Sequence, residues 1–171
     1  ISEEIDELYL KKITELSVSP EAIQRQHDLK IVFSPIHGTG ITLVPAALKR
    51  FGFTNVTIVG AQAAPDGNFP TVIYPNPEEK EALSLSIAKA SEIDADLVLA
   101  TDPDADRVGI AVKNNEGEFI LLNGNQTGSL LINYLLSSWE QKGKLTGNEY
   151  IVSTIVTTKL IGDIAQSKNV S

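Results

Sequence analysis

Three aspartates occupy alternate positions in one short segment of the chain, at Asp102, Asp104 and Asp106. Like charges this close raise one another's pKa or repel, so the crowding is costly unless a cation neutralises it. Oxygen ligands suit a hard cation, Mg²⁺ above all. Arg107 follows directly, and its positively charged guanidinium group cannot bind a cation. We therefore expect that group to be free for an anion such as a phosphate. The segment therefore predicts a Mg²⁺ site that faces an anion.

Other interpretations of this segment differ in what the aspartates do. A plain acidic surface turn is one, because aspartate is common in turns. An EF-hand is excluded by spacing, since it would need glycine at Arg107 and glutamate at Lys113. The main alternative is an aspartyl-phosphate phosphatase of the haloacid-dehalogenase type, with Asp102 as nucleophile. That pattern usually has Thr or Val where Asp106 stands and needs a downstream acidic pair, which we do not find.

The segments around the aspartates predict how they are positioned. An apolar run precedes them at 97–100 and another follows at 108–112, so the loop is expected at the C-terminal end of a buried strand. Helices and strands alternate upstream, which favours a parallel sheet with helices on both faces. Ligands bind beyond the C-terminal ends of such strands. The predicted upstream strands are 30–33 and 56–59, and the predicted helices cover 2–16, 21–27, the segment that ends at Phe51, and 76–93.

The later part of the chain predicts a hairpin and then a second unit. Residues 108–113 and 118–122 flank a turn whose Gly117 can take a positive φ. We therefore expect an α/β fold. Residues 1–121 are expected to form a three-layer α/β/α unit with a mostly parallel sheet and a C-terminal hairpin. Residues 122–171 are expected to form part of a second α/β domain. In that second part we expect a strand at 150–156, a final helix at 159–168, and an earlier helix whose apolar face is Leu130, Leu131, Tyr134 and Leu135.

A glycine-containing loop follows the first predicted strand. It contains His37, Gly38 and Gly40, and its strand–glycine–helix order is typical of a phosphate cradle. The dinucleotide fingerprint is excluded, because it would require a third glycine at Leu43. The plainer interpretation is a tight turn with structural glycines, in which His37 is a hydrogen-bonded turn residue. The long connection at 60–74 is expected to be functional or interfacial.

Composition and charge exclude several classes of protein. The chain has 171 residues, a net charge of −8 and no cysteine. A chain this acidic, without a Lys/Arg cluster, is not expected to bind nucleic acid, and disulfides are excluded. No apolar run is long enough for a membrane span, and a cytoplasmic location is expected. The chain begins at Ile1 and contains no methionine, which predicts a fragment of a larger protein.

Taken together, four motifs in this order resemble the α-D-phosphohexomutase superfamily, the phosphoglucomutase and phosphomannomutase group. The segment from Gly117 to Gly128 resembles the start of that family's third domain, after a second domain that carries the metal loop. The form of the aspartate segment looks most like that of bacterial phosphoglucomutases and phosphopentomutase-type relatives. The four motifs are PIHGTG at 35–40, PDGNFPT at 65–71, YPNPEE at 74–79 and TDPDADRV at 101–108.

The resemblance implies a four-domain enzyme in which a phosphoserine gives its phosphate to a sugar phosphate. The resulting bisphosphate intermediate then reorients and returns its other phosphate to the enzyme. In this family Mg²⁺ is held by three aspartates and a phosphoserine oxygen, which places Asp102, Asp104 and Asp106 as ligands and Arg107 beside phosphate or substrate. The implied reaction interconverts glucose 1-phosphate and glucose 6-phosphate through glucose 1,6-bisphosphate. A phosphomannomutase or phosphopentomutase-type relative is the alternative.

Several of the family's functional loops have no match in this chain. The phosphoserine loop, the sugar-reading loop and the last domain's phosphate-binding loop are absent from the sequence. No catalytic residue is therefore assigned here, and the chain alone is expected to lack mutase activity. The expected partners are a sugar phosphate and the other domains of the same protein. A non-catalytic sugar-phosphate binding module also stays open.

Overall fold

The computed structural model describes residues 2–171. They form two compact units, a larger one that ends at Leu122 and a smaller one over residues 123–171. In the described part of the chain, no helix combines the length and the apolar character that crossing a membrane would require.

The larger unit alternates helices and strands as the sequence predicts. The capping Gly52, with φ of 114°, ends the helix at Phe51 as expected. The elements are α1 (Glu3–Thr14), α2 (Pro20–Arg25), β1 (Ile31–Ser34), α3 (Gly40–Phe51), β2 (Val56–Ile58), α4 (Gly60–Ala63), α5 (Ser84–Glu92), β3 (Leu97–Thr101), β4 (Val108–Lys113) and β5 (Phe119–Leu122).

The described residues of the larger unit form one five-stranded sheet in the order β2-β1-β3-β4-β5. Strand β1 is parallel to both β2 and β3, and β4 is antiparallel to both β3 and β5. Gly117, with φ of 81°, closes the hairpin between β4 and β5. The expected α/β fold with a parallel sheet and a C-terminal hairpin is therefore confirmed.

Strand β1 lies at the centre of the sheet and is buried along its whole length. Val32 packs in a cluster with Ala82, Leu83 and Ala90, which belong to α5 and the turn before it. Phe33 points to the other face, because its ring is the neighbour of Gly40 at the start of α3. Helices thus cover both faces, which explains why this strand reads as a continuous apolar run.

One predicted helix begins later than expected. The sequence favours a start at Asn76, but α5 begins at Ser84. Residues before it form turns instead, in which the Asn76 side chain accepts a hydrogen bond from the Glu78 N–H at 3.1 Å. Pro77 is packed flat against β4, since a Cβ added at Gly109 would lie 2.1 Å from the Pro77 carbonyl oxygen. This packing, which the local sequence does not reveal, replaces the first two helical turns.

The smaller unit consists of two helices, α6 (Gly124–Gln141) and α7 (Lys159–Ser167), which pack together through Leu136, Ala165 and Val170. Local signals predict both helix starts correctly. Asn123 forms a capping box with Gln126, and the Thr158 hydroxyl accepts from the Leu160 N–H.

One expectation for the smaller unit is wrong. The predicted strand at 150–156 is irregular backbone, and the Ile151 N–H donates to the Ser171 carbonyl rather than to a ladder. A strand needs a neighbouring strand for its backbone groups, and the described residues 123–171 include none. The residues of the predicted apolar face do lie on α6, where their side chains are exposed: Leu130, Leu131, Tyr134 and Leu135.

Candidate metal centre

The three aspartates lie together in the loop 102–107, hereafter the aspartate loop, directly after β3. One ligand oxygen from each of Asp102, Asp104 and Asp106 lies within 4.8 Å of the other two. Asp102 is fully buried, whereas Asp104 and Asp106 are exposed. Because β1 runs parallel to β3, the loop lies at the edge where both strands end, as predicted.

Arg107 holds Asp102 from two directions. Its backbone N–H donates to Asp102 Oδ1 at 2.9 Å, and its Nε–H donates to Asp102 Oδ2 at 2.7 Å. The Ala105 N–H donates to the Asp102 carbonyl at 3.0 Å, and Ala105 takes a left-handed φ of 62°. The loop therefore folds back on Asp102. The expectation of a free guanidinium is wrong for Nε, although the Arg107 side chain is 51% exposed.

The charges within the loop shift the pKa values in opposite directions. Burial by itself raises the pKa of Asp102, but its hydrogen bonds from Arg107, with smaller contributions from Asp106 and the Arg107 charge, leave that pKa lowered. The neighbouring charge of Asp104, and then the close Asp102, raise the pKa of Asp106. Asp102 thus stays ionised while Asp106 gains a proton more readily, which is the signature of unneutralised like charges.

These residues fit a hard divalent cation. All three side chains offer carboxylate oxygens, which are the donors that Mg²⁺ prefers, and two of the three are open to solvent. The hydrogen bonds to Asp102 do not exclude it, because an ionised carboxylate has about four lone-pair sites. A bound dication would also remove the repulsion that raises the pKa of Asp106.

The loop at 36–40, hereafter the histidine loop, lies directly against the aspartate loop. A Cβ added at Gly38 would lie 2.3 Å from Pro103 Cα, and one added at Gly40 would lie 2.4 Å from Thr101 Oγ1. The Thr39 N–H donates to the Pro103 carbonyl at 2.8 Å, and the Thr39 hydroxyl donates to the same oxygen at 3.1 Å. Both glycines are therefore required by packing, which favours the structural interpretation of this turn.

In the histidine loop, the backbone N–H groups that a phosphate cradle would need already donate to protein carbonyls. The N–H groups of His37, Gly38 and Thr39 donate to the carbonyls of Gln62, Pro35 and Pro103. Three successive amides that already have protein acceptors cannot also surround a phosphate. His37 itself is 5% exposed and hydrogen-bonded through both ring nitrogens, so its predicted role as a bonded turn residue is confirmed.

The connection at 60–74 reaches both loops. It contains α4, whose Gln62 is fully buried, and it ends near Tyr74, which is 57% exposed. The hydrogen bond to Asp102 raises the pKa of Arg107 most, and Tyr74 adds to that shift. Sequence reasoning missed Gln62 as a member of this region, because an isolated polar residue in a long connection carries no periodic signal.

The sequence of this chain is similar to those of known proteins. The family profile described as phosphoglucomutase/phosphomannomutase, alpha/beta/alpha domain II, matches residues 7–117. A phosphoglucomutase of Staphylococcus epidermidis is 38% identical over 171 residues, which cover 100% of this chain and 30% of the relative. A phosphopentomutase of Mus musculus is 41% identical over 147 residues, which cover 84% of this chain and 24% of the relative. The chain thus spans less than a third of either relative.

Solved structures agree with the fold. A phosphoglucomutase/phosphomannomutase family protein from Burkholderia thailandensis aligns with a TM-score of 0.63 and 22% identity, over 92% of this chain and 31% of that one. A structure from Thermus thermophilus, described as a putative phosphomannomutase, aligns with a TM-score of 0.62 and 21% identity, over 92% and 32% of the two chains. At these identities the likeness establishes the architecture.

Proposed function

The chain belongs to the phosphoglucomutase/phosphomannomutase family, and from that membership we propose that it is the central metal-binding portion of a phosphoglucomutase. The proposed reaction interconverts glucose 1-phosphate and glucose 6-phosphate through an enzyme phosphoserine and a bisphosphate intermediate. The observation that carries the proposal is the gathering of three carboxylates within 4.8 Å at the C-terminal end of β3.

We assign Asp102, Asp104 and Asp106 as the protein ligands of Mg²⁺. A bound Mg²⁺ would offset negative charge on the phosphoryl group during transfer. Asp102 is the anchored ligand, because it is buried and its ionised form is held by Arg107. Asp104 and Asp106 are the exposed ligands, which can adjust as the metal and phosphate arrive.

Arg107 is assigned to a phosphate or substrate. Its Nε–H donates to Asp102, which orients the planar guanidinium at the rim of the aspartate loop. A guanidinium has five N–H donors, so the terminal nitrogens of this half-exposed group can face an anion. The same side chain thereby keeps one ligand ionised and positions an anion beside it.

Residues outside the larger unit would complete the enzyme. We assign residues 122–171 to the start of the family's third domain, and the phosphoserine and the sugar-reading loop to other parts of the full-length protein. The chain alone is then inactive as a mutase. A phosphomannomutase or a phosphopentomutase-type enzyme is the alternative, and the mouse relative carries the name phosphopentomutase. A cytoplasmic location stays a prediction.

The aspartyl-phosphate alternative is disfavoured by the sequence after the aspartate loop. A phosphatase of that type needs a downstream acidic pair, and we find none after Asp106. Tight binding of glucose 1-phosphate to this chain alone, measured by titration calorimetry, would instead favour a sugar-phosphate binding module.

The Asp104→Asn substitution in the full-length protein tests the proposed role. Asp104 is exposed, so the fold should persist while a charged ligand is lost. We expect turnover to fall by more than about 100-fold, because even outer-shell partners of metal ligands typically cost about 10–100-fold. Coupled assay of glucose 6-phosphate formation measures it, and Asp28→Asn is the control, because Asp28 is exposed and precedes β1 at the opposite end of the sheet. Full activity of Asp104→Asn would contradict the assignment.

A further inference from the structure

His37 is held by four hydrogen bonds to the segment 62–71. Its backbone N–H donates to the Gln62 carbonyl at 2.9 Å, and its own carbonyl accepts from the Asp66 N–H at 3.0 Å. Its ring Nδ1 lies 3.1 Å from the Ala64 carbonyl oxygen, and Nε2 lies 2.9 Å from Thr71 Oγ1. Every polar group of this buried residue is thus directed at one segment.

The partners decide which ring nitrogen of the neutral histidine carries the proton. A carbonyl oxygen only accepts, so Nδ1 must donate to Ala64. Nε2 is then an acceptor, and the Thr71 hydroxyl donates to it. Gln62 Nε2 in turn donates to Thr71 Oγ1 at 3.1 Å, while Gln62 Oε1 accepts from the buried Ser34 hydroxyl at 2.7 Å. The network fixes the tautomer and the orientation of the ring.

The backbone at this point is strained. Ile36 and His37 have φ values of 46° and 59°, in the left-handed region that costs a β-branched residue most. Strained residues of this kind persist only where the surroundings over-determine them, at about 1–3 kcal/mol each. Here the His37 hydrogen bonds supply that constraint.

On the opposite side, the strained turn contacts the aspartate loop. Gly38 packs on Pro103 and Thr39 donates twice to its carbonyl. Pro103 stands between Asp102 and Asp104, so its position sets the separation of those two carboxylates. We propose that His37 is a positioning residue for the metal centre, acting through Gly38 and Thr39 on Pro103. The inference rests on the proposed function for its consequence in catalysis, but its geometric content can be tested separately.

The first experiment compares His37→Ala with the unaltered chain. The Ala105 amide and the Arg107 Nε–H are followed by NMR, because both report the folding of the aspartate loop onto Asp102. We expect both resonances to move or broaden in His37→Ala. His27→Ala is the matched control, since His27 is exposed and its ring is hydrogen-bonded to the Gln24 carbonyl of its own turn.

Metal affinity is measured on the full-length protein with the same substitutions. Mn²⁺ is the probe, and electron paramagnetic resonance measures the free ion. We expect His37→Ala to weaken binding about tenfold, at the lower end of the effect of outer-shell partners. His37→Asn should recover part of the loss, because asparagine tolerates a left-handed φ and carries an amide donor. A purely structural role would lower the unfolding temperature yet leave the affinity and the spectrum of bound Mn²⁺ unchanged.

A second pair of variants serves if His37→Ala does not fold. Thr71→Val keeps the shape but removes the hydroxyl between Gln62 and His37, whereas Thr71→Ser restores it. We expect Thr71→Val to shift the Arg107 Nε–H resonance and Thr71→Ser to leave it in place. Unchanged resonances and unchanged Mn²⁺ affinity in the folded His37 and Thr71 variants would overturn the positioning role of His37. The proposed function would not be affected. Absence of Mn²⁺ binding by the unaltered full-length protein would count against the proposed metal site instead.

Discussion

The larger and the smaller unit contain similar local signals but bury their apolar residues to very different degrees. In the larger unit, β1 is enclosed by a helix on each face and by a strand on each side. In the smaller unit, Leu130 and Leu131 are more than half exposed, and Ile155 is fully exposed. Caps and turns start the helices in both units, because those signals need only neighbours in sequence. Burial needs a complete layer to pack against.

The same contrast explains the wrong strand at 150–156. Its apolar, β-branched composition resembles that of β1, yet only β1 has parallel neighbours on both sides. Composition favours a strand, but pairing decides whether one forms. The aspartate loop lies in the unit where pairing is complete, so its geometry rests on a finished sheet.

The largest expected effect comes from a truncation in the buried core of the larger unit. Phe33→Ala should lower the free energy of unfolding by about 3–5 kcal/mol, because it opens a cavity in a fully buried strand. Ile155→Ala is the matched truncation in the smaller unit and should change stability by less than about 0.5 kcal/mol, as at other exposed positions. Urea unfolding followed by circular dichroism measures both. Equal effects would remove the distinction drawn between the units.

A smaller effect is expected from adding one methyl group in each unit. Gly38→Ala should destabilise by about 1–3 kcal/mol, because its Cβ would meet the Pro103 backbone at 2.3 Å. Gly162→Ala, within α7 and with nothing within 4 Å, should stabilise that helix by about 0.5–1 kcal/mol. Thermal unfolding of the two variants gives the signs. A stabilising Gly38→Ala would mean that the two loops are not in contact.

The smallest effect concerns a charged turn of the smaller unit. The Thr146 N–H and hydroxyl, and then the Gly147 N–H, lower the pKa of Glu149 to about 2. A depressed pKa stabilises the folded form fully above the ordinary value of 4.5, and that stabilisation is lost as pH falls through about 2. We expect the Thr146 amide resonance to titrate in that window. In Glu149→Gln the titration should be absent, and a midpoint near 4.5 in the unaltered chain would contradict the assigned contacts.

Much of the fold could be predicted because its signals are local or periodic. The hairpin turn at Gly117 and the helix end at Gly52 follow from conformations that glycine alone adopts easily. The delayed start of α5 could not be predicted, because it depends on Pro77 lying flat on Gly109, a contact between residues distant in sequence. Ala82 and Leu83 lie in the turns before α5 and are nevertheless buried.

The sequence by itself determined that three carboxylates fall in one short loop, because the aspartates occupy alternate positions. It also determined that a buried strand delivers this loop, since an apolar run precedes it. Only the tertiary structure decided that Arg107 turns back onto Asp102, and that the Gln62–Thr71–His37 network stands behind Pro103. Those contacts join residues far apart along the chain or depend on side-chain direction. No local preference specifies them, and the packing of the finished sheet does.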